Sequence, residues 1–221
     1  MSWATLSDRW KEYFRQQLWL AQSMSKDANT KVGSLIIDTN SKVVVASGWN
    51  DLSRGVAHTP ERNERPLKYL YTCHSEQNCL MNALRLGQRV NGLTMLCTLA
   101  CCAQCSASVV NSGIGEVVTP IPDFNHISCG EQYAHSVAIM REGGVQWVYD
   151  NSLTKEGNNE RPLETDSHSC AGDVGCCSHS KPFKLQQERA AIAAITRSWG
   201  GYSEHVHTGI DERGTTLSVP V

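Results

Sequence analysis

The chain has 221 residues, of which 40% are apolar and 19% charged, and its formal net charge at pH 7 is −2. A chain of this size buries one good core, and its slightly acidic balance argues against a basic nucleic-acid-binding surface. We expect no membrane span, because no run of about 18 apolar residues occurs, and no signal peptide at the start. Ten cysteines without an export signal predict reduced thiols and metal binding in a cytoplasmic protein.

Helices and strands alternate along the first 150 residues. Ser7 is predicted to cap a helix, which is followed by a β-hairpin over 31–38 and 42–49 and by an irregular loop over 50–67. Further helices are predicted over 76–87, 102–112 and 132–142, and further strands over 93–98, 116–119 and 145–149. This alternation predicts an α/β fold in three layers, with helices on both faces of one sheet.

Residues 151–221 are predicted to be a C-terminal extension of a domain over 1–150. The polar stretch 151–166 is typical of a linker, and 184–199 is predicted to be an amphipathic helix that packs on the domain or on another subunit. Between them lies a Cys/His cluster that is compact enough for a second, structural metal site, although free buried cysteines are the alternative. The cluster consists of His168, Cys170, Cys176, Cys177 and His179.

Two short motifs indicate the chemistry. His74-Ser75-Glu76 precedes one predicted helix, and Cys102-Ala103-Gln104-Cys105 begins the next. One imidazole and two thiolates bind Zn²⁺ and leave its fourth tetrahedral position open for water, whose pKa the metal lowers. Glu76 is then free to carry protons between that water and a substrate. The order of the two motifs resembles the signature of zinc-dependent base deaminases.

A purely structural zinc site is the alternative interpretation. Such a site uses four protein ligands, whereas here the fourth group is the carboxyl of Glu76. Both motifs are predicted at helix N-termini, where the positive partial charge favours thiolates and metal capture. Cys101 stands where the signature has proline, and we interpret it as a small apolar replacement rather than as another ligand.

The stretch from residue 7 to about 149 resembles the deoxycytidylate deaminase family, within the larger cytidine deaminase superfamily. The zinc motifs identify the chemistry, and the branch is indicated by Ser25-Lys26-Asp27, Thr30-Lys31-Val32-Gly33, Gly48-Trp49-Asn50, Arg54-Gly55, 65–69 and Ser112-Gly113-Ile114. The resemblance implies a cytidine-deaminase-like fold and hydrolytic deamination of dCMP, or of a 5-modified dCMP, to dUMP or its analogue and ammonia. It also implies a homo-oligomer, either a dimer or a hexamer, and dCTP or dTTP as an effector.

The resemblance also implies substrate contacts. Asn50 matches the asparagine that meets the sugar, although a turn residue is the alternative. Ser75 stands where the family usually has alanine, and it keeps the backbone N–H that helps to bind the pyrimidine. Lys26 and Arg54 are candidates for phosphate contact, with solvated loop charges as the alternative. Lys68-Tyr69 is interpreted as packing next to the site rather than as part of the chemistry. Asp51 replaces a glycine of the family's sugar loop, and its negative charge disfavours a triphosphate effector.

Two other functions are alternatives. A deaminase that acts on cytidine or adenosine in tRNA or single-stranded DNA usually has a basic track lined with aromatic side chains. This chain has 20 Lys and Arg against 22 Asp and Glu, with no basic cluster. A zinc scaffold without catalytic activity has no use for a proton carrier such as Glu76. We therefore predict a free nucleotide as the substrate and no nucleic-acid partner.

Overall fold

The computed structural model describes residues 1–126 and 129–154, and the backbone of 209–210 and 216–217. The predicted second metal cluster, formed by His168, Cys170, Cys176, Cys177 and His179, lies outside the described residues, as does the predicted helix over 184–199. The chain divides into two units, Met1–Ala171 and Gly172–Val221. The domain boundary at residue 150 and the metal site in the extension therefore stay predictions.

The elements of the first unit follow the predicted order. They are α1 (Asp8–Ser23), β1 (Gly33–Asp38), β2 (Val43–Trp49), β3 (Asp51–Leu52), α2 (Leu67–Tyr71), β4 (Thr72–Cys73), α3 (Ser75–Arg85), β5 (Thr94–Cys97), α4 (Ala103–Ser112), β6 (Glu116–Thr119), α5 (Gly130–Glu142) and β7 (Gln146–Tyr149). In the second unit, β8 (Gly209–Ile210) pairs antiparallel with β9 (Thr216–Leu217). Each predicted helix and strand of residues 1–150 is present, with boundaries that differ by a few residues.

Five strands form one mixed sheet in the order β2-β1-β5-β6-β7. The second strand, β1, runs antiparallel to both of its neighbours, β2 and β5, whereas β5, β6 and β7 run parallel to one another. A parallel connection needs a crossover element, and α4 and α5 provide the two crossovers in this sheet. The predicted mixed sheet is confirmed.

Hydrophobic cores on the two faces of the sheet explain the three layers. Successive side chains of a strand point to opposite faces, so Leu35 and Ile37 join one core while Ile36 joins the other. One core packs the sheet against α1 and contains Phe14 and Leu18. The other packs it against α3, α4 and α5 and contains Cys79, Leu80, Ala83, Cys105, Val109 and Met140. Because helices cover both faces, the inner strand β1 is buried along almost its whole length.

The segment between β2 and α3 is more ordered than the predicted irregular loop over 50–67. Its first residues form β3, which pairs with β4 directly before α3. A single 3₁₀ turn over Pro60–Asn63 and the five-residue helix α2 complete the segment. Elements this short show too few repeats for a hydrophobic period to reveal them. Among the helices that the structure describes, none is both long and apolar enough to cross a membrane.

Candidate active site

The N-termini of α3 and α4 provide the residues of the site. His74 is the N-cap of α3 and Cys102 is the N-cap of α4, and both have extended backbone conformations. Glu76 and Cys105 lie in the first turn of the respective helices. Short, rigid segments at two helix starts therefore position all four predicted residues, as the motifs predicted.

A close approach between β2 and α3 fixes the position of the first helix. Gly48 of β2 lies so near the α3 backbone that an added Cβ would come 2.6 Å from the carbonyl oxygen of Ser75 and closer still to the backbone nitrogen of Cys79. Any side chain at this position would push the helix away from the sheet. The glycine thus sets the depth at which His74 and Glu76 sit.

Three donor atoms converge at the helix starts. His74 Nδ1 lies 3.5 Å from Cys102 Sγ and 3.4 Å from Cys105 Sγ, and all three atoms lie within 4.8 Å of one another. A tetrahedral Zn²⁺ with a Zn–N bond of ~2.0 Å and a Zn–S bond of ~2.3 Å requires nitrogen and sulfur ligands about 3.5 Å apart. These residues therefore fit a zinc ion, with Nδ1 as the ligand atom of the histidine.

Hydrogen bonds among the three donors shift their pKa values. The bond from Cys105, together with the bond from His74, lowers the pKa of Cys102 to about 4 against the effect of burial. The bond between His74 and Cys102 raises the pKa of His74 to about 9. The bond between Cys105 and Cys102 raises the pKa of Cys105. Cys102 is therefore already a thiolate at neutral pH, and metal binding displaces the protons on the other two donors.

Glu76 lies beside the three donors and is buried, with 4% of its surface exposed. Burial raises the pKa of its carboxyl, and the negative charge of Cys102 raises it further, whereas the charge of His74 lowers it. Oε2 accepts a hydrogen bond of 2.9 Å from the hydroxyl of Ser75. The carboxyl is thus able to hold a proton next to the metal site.

Two further cysteines lie near the Glu76 carboxyl, and the sequence analysis had assigned neither of them to the site. Cys97 and Cys101 are fully buried, and their sulfurs lie 4.0 Å apart. Their sulfurs and a Glu76 carboxyl oxygen also lie within 4.8 Å of one another. The hydrogen bond to Cys97, together with burial, raises the pKa of Cys101. It is therefore a neutral thiol, which agrees with its interpretation as a small apolar residue.

The predicted sugar contact, Asn50, holds the loop that precedes β1. Its Nδ2 donates to the carbonyl of Thr30 over 2.8 Å and to Asp27 Oδ2 over 3.3 Å. Its Oδ1 accepts a 2.7 Å bond from the backbone N–H of Val32. Both amide hydrogens are used in this way, which leaves one lone pair of Oδ1 as the group able to meet a ligand.

Asn50 also borders a small cavity of about 20 Å³. The lining comes from the end of α1 through β4 and includes Lys26, Asp27, Ala28, Asn50, Asp51, Leu52, Asn63, Lys68 and Thr72. Lys26 is exposed at this cavity, whereas the predicted phosphate contact Arg54 does not line it and donates over 2.5 Å to Asn82 Oδ1. Ser75 is not among the lining residues and is fully buried.

Sequence reasoning did not find the ion pair in this cavity. Lys68 Nζ lies 2.6 Å from Asp27 Oδ2. Burial acts to raise the pKa of Asp27, but the bonds from Lys68 and from the backbone N–H groups of Thr30 and Asn29 outweigh it and lower the pKa. The two residues are far apart in the sequence, and the pattern around Lys68 had indicated packing. Only the fold, which brings the two side chains together, reveals the pair.

Comparison with known proteins agrees with the geometry. One relative is an uncharacterised deaminase from the luxG 3′ region of Aliivibrio fischeri, which is 32% identical over 139 residues, or 62% of this chain and 91% of that protein. Human deoxycytidylate deaminase is 32% identical over 115 residues, 49% of this chain, and the match spans 63% of the human protein.

A solved structure and a family model also match this chain. A crystal structure of dCMP deaminase from the cyanophage S-TIM5, in complex with dCMP and dUMP, superposes with a TM-score of 0.54 at 19% identity, covering 66% of this chain and 99% of that one. This likeness confirms the cytidine-deaminase-like fold. The cytidine and deoxycytidylate deaminase zinc-binding region matches residues 8–121. With about half of its length matched, the chain belongs to the cytidine and deoxycytidylate deaminase family.

Proposed function

We propose that the protein hydrolyses the amino group of dCMP, or of a 5-modified dCMP, to give dUMP or its analogue and ammonia. The observation that carries this proposal is the set of three donors at zinc spacing, His74, Cys102 and Cys105, with the buried carboxyl of Glu76 beside it. The human relative named deoxycytidylate deaminase and the phage enzyme bound to dCMP and dUMP support the choice of nucleotide.

Glu76 is the proton carrier of the proposed reaction. Zinc, held by the three donors, lowers the pKa of a water molecule and so supplies a nucleophile at neutral pH. Glu76 accepts a proton as water adds to C4 of the base and delivers it to ring nitrogen N3. It then takes the remaining proton from the new C4 hydroxyl and gives it to the departing amino group, which leaves as ammonia as C4 becomes a carbonyl. The raised pKa of its carboxyl suits a group that must hold and release a proton in turn.

The cavity bordered by Asn50 supplies the proposed nucleotide site. Thr72 lines this cavity and His74 follows two residues later, so the cavity wall and the metal site are at most about 7 Å apart along the chain. The volume of the cavity is only about 20 Å³, so the cavity would take up one group of the nucleotide and the rest would lie outside it. Lys26 provides a positive charge for a phosphate, and the free lone pair of Asn50 Oδ1 accepts a bond from a sugar hydroxyl.

Several predictions for the whole protein belong to the same proposal. Arg54 is retained as a second phosphate contact, which it can reach after giving up its exposed bond to Asn82. The backbone N–H of Ser75 is retained as a pyrimidine contact. Assembly into a dimer or a hexamer and the response to dCTP or dTTP are proposed from the family resemblance alone.

Ammonia release from a substrate panel tests the proposed function. The panel consists of cytidine, dCMP, dCTP, 5-substituted dCMP and single-stranded oligonucleotides, each at equal base concentration and with zinc-loaded protein. We expect the highest kcat/KM with dCMP or its 5-substituted form. Faster deamination of oligonucleotides would instead favour the nucleic-acid alternative, and the absence of ammonia from every compound would refute the proposal.

A further inference from the structure

A row of hydrogen-bonded side chains connects Glu76 to the sheet. The Ser75 hydroxyl donates to Glu76 Oε2 over 2.9 Å, and Ser34 Oγ of β1 lies 2.7 Å from Ser75 Oγ. Ser34 Oγ also lies 3.4 Å from Cys97 Sγ of β5. Ser34, Ser75 and Cys97 are all 0% exposed, so bulk solvent does not compete for these hydrogen bonds. Outside the row, Cys97 Sγ also lies 4.0 Å from Cys101 Sγ.

The number of available protons determines which groups in this row donate hydrogen bonds and which accept them. Each hydroxyl has one proton to donate, and an ionised carboxylate only accepts. When Ser75 donates to Glu76, Ser34 must donate to Ser75. The 3.4 Å contact from Ser34 Oγ to the Cys97 sulfur is then the weaker use of the same proton, because a thiol sulfur is a weak acceptor. Both hydroxyl donors therefore point towards the carboxylate.

A second buried serine shows that this pairing is specific to Ser75. Ser106 follows the zinc donor Cys105 in α4, as Ser75 follows His74 at the start of α3. It is also 0% exposed, yet its hydroxyl has no hydrogen-bond partner within the described part of the chain. The two serines therefore match in burial and in position next to a metal ligand, and differ in their contact with Glu76.

We propose that Ser75 is a positioning residue that holds Glu76 Oε2, so that Oε1 is the oxygen that carries the proton in the reaction. The inference rests on the proposed function. The terminal torsion of a glutamate is broad, so an untethered carboxylate presents either oxygen. A hydrogen bond to a charged acceptor is strong enough to select one. Ser34 acts through Ser75, because its proton keeps the Ser75 hydroxyl directed at the carboxylate.

Kinetics of three zinc-loaded variants, with dCMP as substrate, test this role. Ser75→Ala should lower kcat roughly tenfold, as expected for one lost bond to a charged group, with KM within about twofold and zinc content unchanged. Ser106→Ala, the matched control, should keep the kcat of the wild type. Ser34→Ala should have a smaller effect, and Ser34→Ala with Ser75→Ala should be no slower than Ser75→Ala alone, because both act on the same bond.

Crystal structures of the zinc-loaded wild type and Ser75→Ala provide a readout without substrate. We expect one Glu76 rotamer with Oε2 on Ser75 in the wild type, and a different or second rotamer in the variant. An unchanged kcat, a change in KM alone, or loss of zinc in Ser75→Ala would overturn the inference. A wild type that deaminates nothing would refute the proposed function. In that case an identical single rotamer in both structures would overturn the positioning role, and a changed rotamer would support it.

Discussion

The metal site and the cavity bordered by Asn50 are built in different ways. The metal site takes its donors from two short motifs, each held at the start of a helix. The cavity takes its lining from residues spread between Lys26 and Thr72, and side-chain contacts such as Lys68 with Asp27 hold them in place. The comparison indicates that rigid elements position the residues proposed for the chemistry, whereas loops position those proposed to recognise the substrate.

Removal of one zinc ligand gives the largest expected effect. Cys102→Ala leaves two of the three donors, so we expect loss of bound zinc and of measurable deamination. Cys79→Ala is the control, because Cys79 is a fully buried cysteine of the core against which Cys102 packs but is not one of the three donors. Metal analysis and ammonia release measure both. Full zinc in Cys102→Ala would show that the ligands are misassigned.

Replacement of the proton carrier Glu76 should abolish most of the turnover without affecting zinc binding. Glu76→Gln keeps the size of the side chain but cannot carry the proton, so turnover should fall by about 10²- to 10⁴-fold while zinc stays bound. Glu116→Gln changes another buried glutamate, which accepts bonds from Trp3 and Thr94, and should lower stability without a comparable loss of kcat. Near-normal turnover of Glu76→Gln would remove Glu76 from the mechanism.

On the cavity side, Asn50→Ala tests whether Asn50 does more than hold its loop. Loss of a buried polar contact to the substrate should lower kcat/KM by roughly one to two decades. Gln22→Ala is matched to it, because Gln22 Nε2 donates to the carbonyl of Lys31 in the same loop. Both variants should unfold at lower temperature, but we expect the large loss of kcat/KM for Asn50→Ala alone. Equal losses in the two variants would mean that Asn50 acts only through the loop.

The smallest expected effect concerns the ion pair in the cavity. The pKa of Asp27 is lowered in the folded state, so the pair stabilises the fold above the unfolded pKa of about 3.9 and loses its effect as the pH falls through the folded pKa. Lys68→Met should therefore cost about 1 kcal/mol at pH 7. The difference from wild type, measured by urea unfolding, should shrink below about pH 4. A cost that is independent of pH would indicate lost packing instead.

The candidate metal site was predictable from the sequence, because the residues that form it lie in two short motifs. Two motifs and the helices that follow them determine where His74, Glu76, Cys102 and Cys105 lie, and the structure brings the three donors to zinc spacing. The choice of Nδ1 rather than Nε2 was not predictable, because it depends on how the two helix starts face each other. The mixed sheet and its two helical layers were predictable from the order of elements.

The rest of the site depends on contacts between distant segments. Ser34, Ser75 and Cys97 meet only because β1 lies between the elements that carry the other two. The local sequence pattern did not predict a site role for Ser34 or Cys97, since both have the pattern of ordinary residues in buried strands. Lys68 was likewise interpreted as packing, because its partner Asp27 lies beyond an entire hairpin. Long-range pairing of this kind has no periodic signature in a single sequence.

Gly48 also has a consequence for protein engineering. Because the backbones of β2 and α3 touch at this residue, a side chain at position 48 would change the spacing between strand and helix. Asn78 and Asn82 of α3 also hold the strand, but through the backbone carbonyls of Trp49 and Ser47, which a substitution of the Trp49 side chain leaves in place. A library that varies Trp49, Asn50 and Asp51 to change the accepted nucleotide would therefore leave the depth of the zinc ligands untouched as long as position 48 stays glycine. Substrate range and metal binding are, in this part of the molecule, separately adjustable.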